Sequence, residues 1–277
     1  RFTHKGSHLK LINHWKIMAE IITKKEGPIG NIIFSNPQKM NAMSLDMWLG
    51  VPKAMREFDQ DPEVRVIVVK GGGEKAFISG ADISQFDQLR GSADQQEIYN
   101  QAVAEAYLAP TLCSKPVVAS IRGYCFGGGL GFAVACDMRI CSEDAQFRMP
   151  AARLGLGYGF EGVNRFINVI GPANTADIFF YARRFGAAEA LRMGYVTQVH
   201  PSDLLEQETS KYVGSMAENA PMTMKAIKAA VLQSAVLEKD RDVALVSRLV
   251  DACFASEDYK EGRAAFLEKR TPIFRGV

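Results

Sequence analysis

Three consecutive glycines, Gly127 to Gly129, interrupt an apolar stretch running from Val117 to Val134. A second glycine-marked turn, Ile78-Ser79-Gly80-Ala81-Asp82-Ile83, lies upstream. Each turn can present a bare backbone N–H to a ligand. Two such donors converging on one oxygen stabilise an oxyanion without any side chain, and in a dry pocket one donor lowers a barrier by about 3 kcal/mol. Other common catalytic devices are missing. Beyond residue 17 the sole histidine is His200, beside Pro201 in a turn-like context, so a Ser-His-Asp or Cys-His mechanism lacks its positioned base. There is no HExxH, no cysteine pair and no carboxylate cluster at ligand spacing, which argues against a metal centre.

The elements that must hold these turns can be read along the chain. Ile21 to Thr23 and Asn31 to Phe34 read as strands flanking the Gly27-Pro28 turn. Ser44 is placed to cap a helix carrying Leu45, Trp48, Val51 and Met55 on one side and ending near Phe58. Val64 to Lys70 is a strongly apolar strand, Asp94 to Leu112 is helical in composition, and Pro116 to Ile121 is another buried strand. Helix follows the triple glycine, with strand again at Met138 to Cys141 and around Phe147. Apolar strands alternating with helices argue for an α/β arrangement with parallel crossovers. After Gly171 the strand signal fades. Asn174 to Tyr181, Ala187 to Met193, Leu204 to Ala217, Pro221 to Leu237, Asp240 to Phe254 and Asp258 to Lys269 all read as helices, with Ser202, Asp240 and Ser256 or Asp258 as caps. Helices with an apolar stripe and no sheet of their own often pack on a neighbouring subunit.

Composition bounds the partners. The 277 residues are 47% hydrophobic and 23% charged, enough to bury one main core with a smaller appendage. A net charge of +2 with interspersed signs gives no nucleic-acid footprint, yet permits a local cationic patch facing an anionic ligand. No apolar run reaches the roughly 18 residues a membrane span needs. The five cysteines form no CxxC pair and read as reduced core residues of a cytoplasmic protein. Residues 1–17 contain four basic and no acidic residues and three of the four histidines, and read as a non-native leader or disordered extension, although a basic leader is also the composition of a transit peptide. The expected organisation is therefore 1–17 leader, 18–200 α/β core and 201–277 helical region.

The ordered set Asn36-Pro37-Gln38-Lys39-Met40-Asn41-Ala42, Phe77 to Ile83, Gly123-Tyr124-Cys125-Phe126-Gly127-Gly128-Gly129, Cys136-Asp137 and Ala145-Gln146-Phe147 resembles the crotonase (enoyl-CoA hydratase/isomerase) superfamily from about Met18 to Val277. The resemblance implies a spiral of ββα turns with an all-helical C-terminal trimerisation region, assembled as homotrimers or hexamers. It implies action on acyl groups carried as coenzyme A thioesters, with CoA part of the substrate and no permanently bound cofactor. The family's oxyanion hole maps to the N–H groups of Ala81 and Gly128. Similar positions imply that Lys39, Ile78, Ala81, Asp82 and Ile83 contact CoA, while Phe266 and Lys269 reach it from an adjacent subunit. A lysine often found two residues beyond Asp82 is Ser84 here.

The departures concern acid and base. The two glutamates with which family hydratases hold and activate water are Gly131 and Ala151 in this chain, and the aspartate of dienoyl isomerase relatives is Gly159. Water addition needs a positioned base and an acid, so the two-glutamate mechanism is absent. The stretch Gly155 to Gly162 with Tyr158, together with the segments Ser256 to Gly262 and Phe266 to Arg270, is similar to the methylmalonyl-CoA decarboxylase branch, although that branch has a histidine at Ala81 and a glutamate at Gly131. Loss of CO2 yields the same enolate without a general base, with Tyr158 orienting the carboxylate or protonating the carbanion. Arg153 is a candidate partner for a substrate carboxylate, and Glu161 is either a displaced acid/base or a helix-dipole partner. Three readings stay open: a malonyl-type decarboxylase, a hydratase or isomerase using Glu161 or Tyr158, and a non-catalytic acyl-CoA-binding homologue.

Overall fold

The computed structural model describes residues 19–82 and 92–277. The chain opens with a hairpin of β1 (Glu20–Glu26) and β2 (Ile29–Ser35), antiparallel in register from Glu26↔Ile29 to Glu20↔Ser35. Helix α1 (Leu45–Gln60) follows. Ser44 Oγ accepts from the Met47 N–H at 3.2 Å, satisfying one orphan donor of its first turn. Trp48, Val51 and Met55 are buried as the pattern requires, while Leu45 at the start of the helix is only half-buried.

Three successive strand pairs then build the core: β3 (Val66–Gly71) with β4 (Ala76–Ile78), β5 (Val117–Ile121) with β6 (Tyr124–Phe126), and β7 (Met138–Ser142) with β8 (Gln146–Arg148). Helices α2 (Ala93–Leu112), α3 (Gly128–Ala133) and α4 (Phe160–Tyr181) follow the first, second and third pair. The first member of each pair joins a six-stranded sheet, and the second joins a smaller four-stranded sheet. Each ββα turn therefore stacks on the last, with β3, β5 and β7 mutually parallel and β4, β6 and β8 likewise. This is the spiral expected from the resemblance. Every residue of β5 is buried, as a parallel strand covered on both faces must be. Between the sheets, Phe34 packs edge-on to Phe77 and Phe132 at 5.5 and 5.3 Å, tying β2, β4 and α3 together.

Beyond α4 the chain adds β9 (Arg184–Gly186), α5 (Ala187–Arg192), β10 (Gln198–His200), α6 (Leu205–Ala217), α7 (Pro221–Ser234), α8 (Val243–Ala255) and α9 (Glu257–Glu268). Two sequence expectations are corrected here. Strands do continue past Gly171: β9 pairs antiparallel with β8 and β10 parallel with β7. At three residues each they are too short to leave a periodic signal, and their partners lie far away in sequence. His200 accordingly ends a strand rather than sitting in a turn, with its Nε2 2.9 Å from Gln198 Oε1. Helix α4 starts at Phe160, well before Asn174, and breaks where Gly171 takes φ 76° ahead of Pro172, which cannot donate to the preceding turn.

The C-terminal helices divide in two. Val213 and Ala217 of α6 pack on Val66, Val68, Val118 and Ile140, closing the outer face of the large sheet within one protomer. From α7, the buried Lys228 ammonium donates to the carbonyls of Pro110 and Lys115 and to Asp137 Oδ2, each at 2.8 Å. By contrast α8 buries no residue, and Val243, Val250 and Phe254 on it are exposed. Ser202 and Asp240 do not cap these helices: Ser202 donates instead to Asp144, and Asp242 caps α8. Ser256 caps α9 as expected, accepting from the Tyr259 N–H.

Candidate active site

Strands β4 and β6 lie side by side and parallel, with Ala76 opposite Tyr124 and Ile78 opposite Cys125. Their C-terminal ends therefore emerge together, and the two glycine-marked turns are in contact. A Cβ on Gly129 would stand 2.5 Å from the Ile78 carbonyl oxygen and 2.7 Å from its Cβ, so only glycine permits this approach. Gly80, at φ +128°, holds the other side of the contact, its Cβ direction pointing at the Phe126 carbonyl 3.8 Å away.

Ala81 forms an isolated bridge to Met43, closed by Met43 N–H to Gly80 and Asp82 N–H to the Met43 carbonyl, both at 2.9 Å. That pattern uses the amides on the far strand and at Asp82, and leaves the Ala81 N–H out of the ladder. Gly127, at φ 49°, donates its own amide to the Arg148 carbonyl and turns the chain into α3. The first intrahelical bond there runs from Gly131 to Gly127, so the Gly128 amide precedes it and no side chain caps it. These two neighbouring bends are thus held together by hydrogen bonds that do not use the Ala81 or Gly128 amide.

Beside this pair, the place of the first missing glutamate is filled by phenols. A Cβ at Gly131 would meet Tyr158 Oη at 2.6 Å and Tyr107 Oη at 2.8 Å, so both hydroxyls converge on one point. Tyr158 is held by an edge contact to Phe179 at 4.9 Å and by the bare backbone of Gly162, where any Cβ would run into its ring. Its hydroxyl is buried and makes no hydrogen bond among the described residues. Burial pushes this phenol up to about 12, so it stays protonated at neutral pH. Tyr107, from α2, donates to the Gly128 carbonyl at 3.0 Å and packs edge-on to Trp48 at 5.7 Å. Burial, with Tyr158 adding to it, raises its phenol well above the ordinary value. Sequence reasoning missed Tyr107. A tyrosine among the small residues Ala102, Ala106 and Ala109 of the buried helix face was the available signal.

The other expected site residues scatter more widely. Ala151, at the second glutamate position, is buried and brings no proton carrier. Glu161 is exposed in the first turn of α4, where its charge suits the helix N-terminus, and it is not part of the buried phenol pair. Arg153 is exposed on a short 3-10 turn (Ala151–Leu154), so the desolvation that would have demanded a carboxylate partner does not arise. Lys39 and Ala81 do line one cavity, of about 600 Å3, along with Asp82, Tyr124, Phe126 and Arg184. Within it Lys39 pairs with the buried Asp82 at 2.7 Å. Ile78 is buried behind Gly129, and Ile83 falls outside the described residues. Phe266 is 83% exposed on α9 and lines a different, apolar cavity of about 850 Å3 among α7, α8 and α9; Lys269 ends that helix in the left-handed conformation. Neither Phe266 nor Lys269 lines the cavity beside Ala81 within a single protomer.

The described residues include no cluster of three or more metal-ligating side chains and no helix long and apolar enough to cross a membrane. The cysteines are free, and burial pushes the thiols of Cys113, Cys136 and Cys141 up to about 12, so they are unreactive core groups.

Comparison with known proteins accords with this geometry. The family model for enoyl-CoA hydratase/isomerase matches residues 24–277. A crotonyl-CoA hydratase from Syntrophomonas wolfei subsp. wolfei is 32% identical over 254 residues, covering 92% of this chain and 97% of that protein. A peroxisomal Δ(3,5)-Δ(2,4)-dienoyl-CoA isomerase from Arabidopsis thaliana is 33% identical over 270 residues, covering 92% and 96%. Among solved structures, an enoyl-CoA hydratase/carnithine racemase from Magnetospirillum magneticum superposes with a TM-score of 0.87 at 31% identity, covering 94% of this chain and 97% of that one. With its stacked ββα turns and adjoining glycine bends, this chain belongs to the enoyl-CoA hydratase/isomerase family of the crotonase superfamily.

Proposed function

We propose that this protein binds an acyl-CoA thioester, holds its enolate between the Ala81 and Gly128 amides, and passes the α-carbon proton through Tyr158. One observation carries the reading: the buried Tyr158 phenol converges with that of Tyr107 on Gly131, beside the helix that begins at Gly128. A protonated phenol suits donation to a carbanion. As relatives are named for hydration and for double-bond migration, hydratase or isomerase chemistry on an enoyl-CoA is the best-supported activity, with a phenol doing what carboxylates do elsewhere.

A second reading, malonyl-type decarboxylation, is favoured by the absence of a carboxylate at Gly131 and Ala151. There the C–C bond breaks, its electron pair enters the enolate, CO2 leaves and Tyr158 supplies the proton. The apolar residues left exposed on α8 and α9 support assembly as a homotrimer or hexamer.

Exchange of the α-protons of a saturated acyl-CoA with deuterated solvent reads the enolate directly: the small phenolate fraction of Tyr158 takes the α-proton as the C–H electron pair enters the enolate, and the phenol returns a solvent deuteron to the carbon. Exchange is expected in the wild type and should fall by about 10²–10⁴ in Tyr158→Phe, the usual contribution of a positioned acid/base. No exchange in the wild type would sink the enolate reading. Assays for crotonyl-CoA hydration, 3-enoyl-CoA isomerisation and CO2 release from methylmalonyl-CoA then assign the reaction.

A further inference from the structure

Among the described residues, the charged side chains lining the cavity beside Ala81 are Lys39, Asp82 and Arg184. Lys39 and Asp82 pair at 2.7 Å, and no described carboxylate pairs with Arg184. Arg184 sits on β9, exposed, and its guanidinium forms no hydrogen bond or ion pair among the described residues. It is nevertheless held in place. Its Cζ lies 5.8 Å from the Tyr124 ring centre and 5.3 Å from that of Phe126, and those two rings pack on each other at 5.1 Å. A guanidinium resting on aromatic faces keeps its N–H fork free at the edge, already oriented for a planar or tetrahedral oxyanion.

From this we infer that Arg184 is the phosphate-recognising residue of the site, the contact that selects a phosphate-bearing thioester carrier over a bare pantetheine. The inference rests on the acyl-CoA reading above and goes beyond it by assigning the charge recognition. Lys39 on the same wall is already committed to Asp82. Arg184 reaches the same cavity from a strand more than a hundred residues later in sequence, brought there because β9 pairs with β8 and β8 with β6.

Coenzyme A offers two sources of this chemistry, the diphosphate and the 3′-phosphate. Isothermal titration of the full-length wild type, Arg184→Ala and Arg184→Lys with CoA, dephospho-CoA and an acyl-pantetheine distinguishes them. Arg184→Ala should weaken CoA binding by about tenfold or more, the scale of a charge-assisted hydrogen bond at a partly exposed site, and Arg184→Lys by less. Acyl-pantetheine binding should be the same in all three proteins. If Arg184→Ala also weakens dephospho-CoA, the contact is to the diphosphate; if it spares dephospho-CoA, the contact is to the 3′-phosphate. Equal CoA affinity in wild type and Arg184→Ala overturns the inference, as does an equal loss for acyl-pantetheine. Arg184→Gln, compared by thermal melting, separates lost binding from lost folding. Because binding is read without turnover, this result stays legible even if no thioester in the activity panel reacts.

Discussion

At the residue scale, the chemistry turns on what surrounds Gly131. The two tyrosine oxygens that would collide with any Cβ there mean that a glutamate cannot simply be restored. Gly131→Glu is expected to lower stability by about 1–3 kcal/mol through overpacking without creating hydratase activity. Combining it with Tyr158→Ala should recover at least half of that loss; urea unfolding of the single and double variants measures it. Ionisation gives a second prediction. The Tyr158 phenol loses its proton near 10 when unfolded and holds it to about 12 when folded. The folded state therefore binds the proton more tightly, and the stability this gives is complete below pH 10 and lost as pH rises from about 10 to about 12. Unfolding free energies measured at pH 9 and 11 should show that fall. Tyr158→Phe should lose less than the wild type, though not nothing, because Tyr107 and Tyr195 are raised by burial in the same direction.

Among the elements, the adjacency of β4 and β6 decides whether two backbone donors can act together. At the C-terminal end of β4 the close approach is Gly129 against Ile78, with no room for a methyl group. Gly129→Ala must push α3 away from the end of β4. We expect a stability loss of about 1–3 kcal/mol and a drop in solvent exchange at the α-carbon disproportionate to it, because both proposed oxyanion donors are displaced. Circular dichroism melting alongside the deuterium-exchange rate tests this; a stability loss with unchanged exchange would uncouple the bends from the chemistry. Asp242→Ala, removing the cap of α8, is the matched control at about 1 kcal/mol.

For the whole molecule, the C-terminal helices have two roles. Lys228 fastens α7 to the core through three acceptors, one of them the Asp137 carboxylate that also accepts from the Val117 amide. Lys228→Met strips that half-buried carboxylate of its cation and should cost about 3 kcal/mol, measurable by denaturant unfolding. Further out, α8 and α9 leave Phe254, Phe266 and Leu267 exposed, a face wide enough to need covering. Sedimentation equilibrium is expected to give a multiple of three protomers. Phe266→Asp should shift it toward the monomer, and a monomeric wild type would count against assembly through this face.

Much of this was legible in the residues alone. Strongly patterned segments such as Leu45–Gln60 and Val117–Ile121 declare themselves, since helical and buried-strand periodicities are local properties. The ordered glycine motifs likewise pointed to the family, because a bend that needs glycine can be recognised from sequence. What the sequence could not decide was which distant groups share a space. Tyr107 comes to Gly131 from a separate helix, Arg184 reaches the cavity of Lys39 through a three-residue strand, and Glu161, near Tyr158 in sequence, faces solvent. Those outcomes depend on the stacking of successive ββα turns, a long-range packing result that no local pattern encodes.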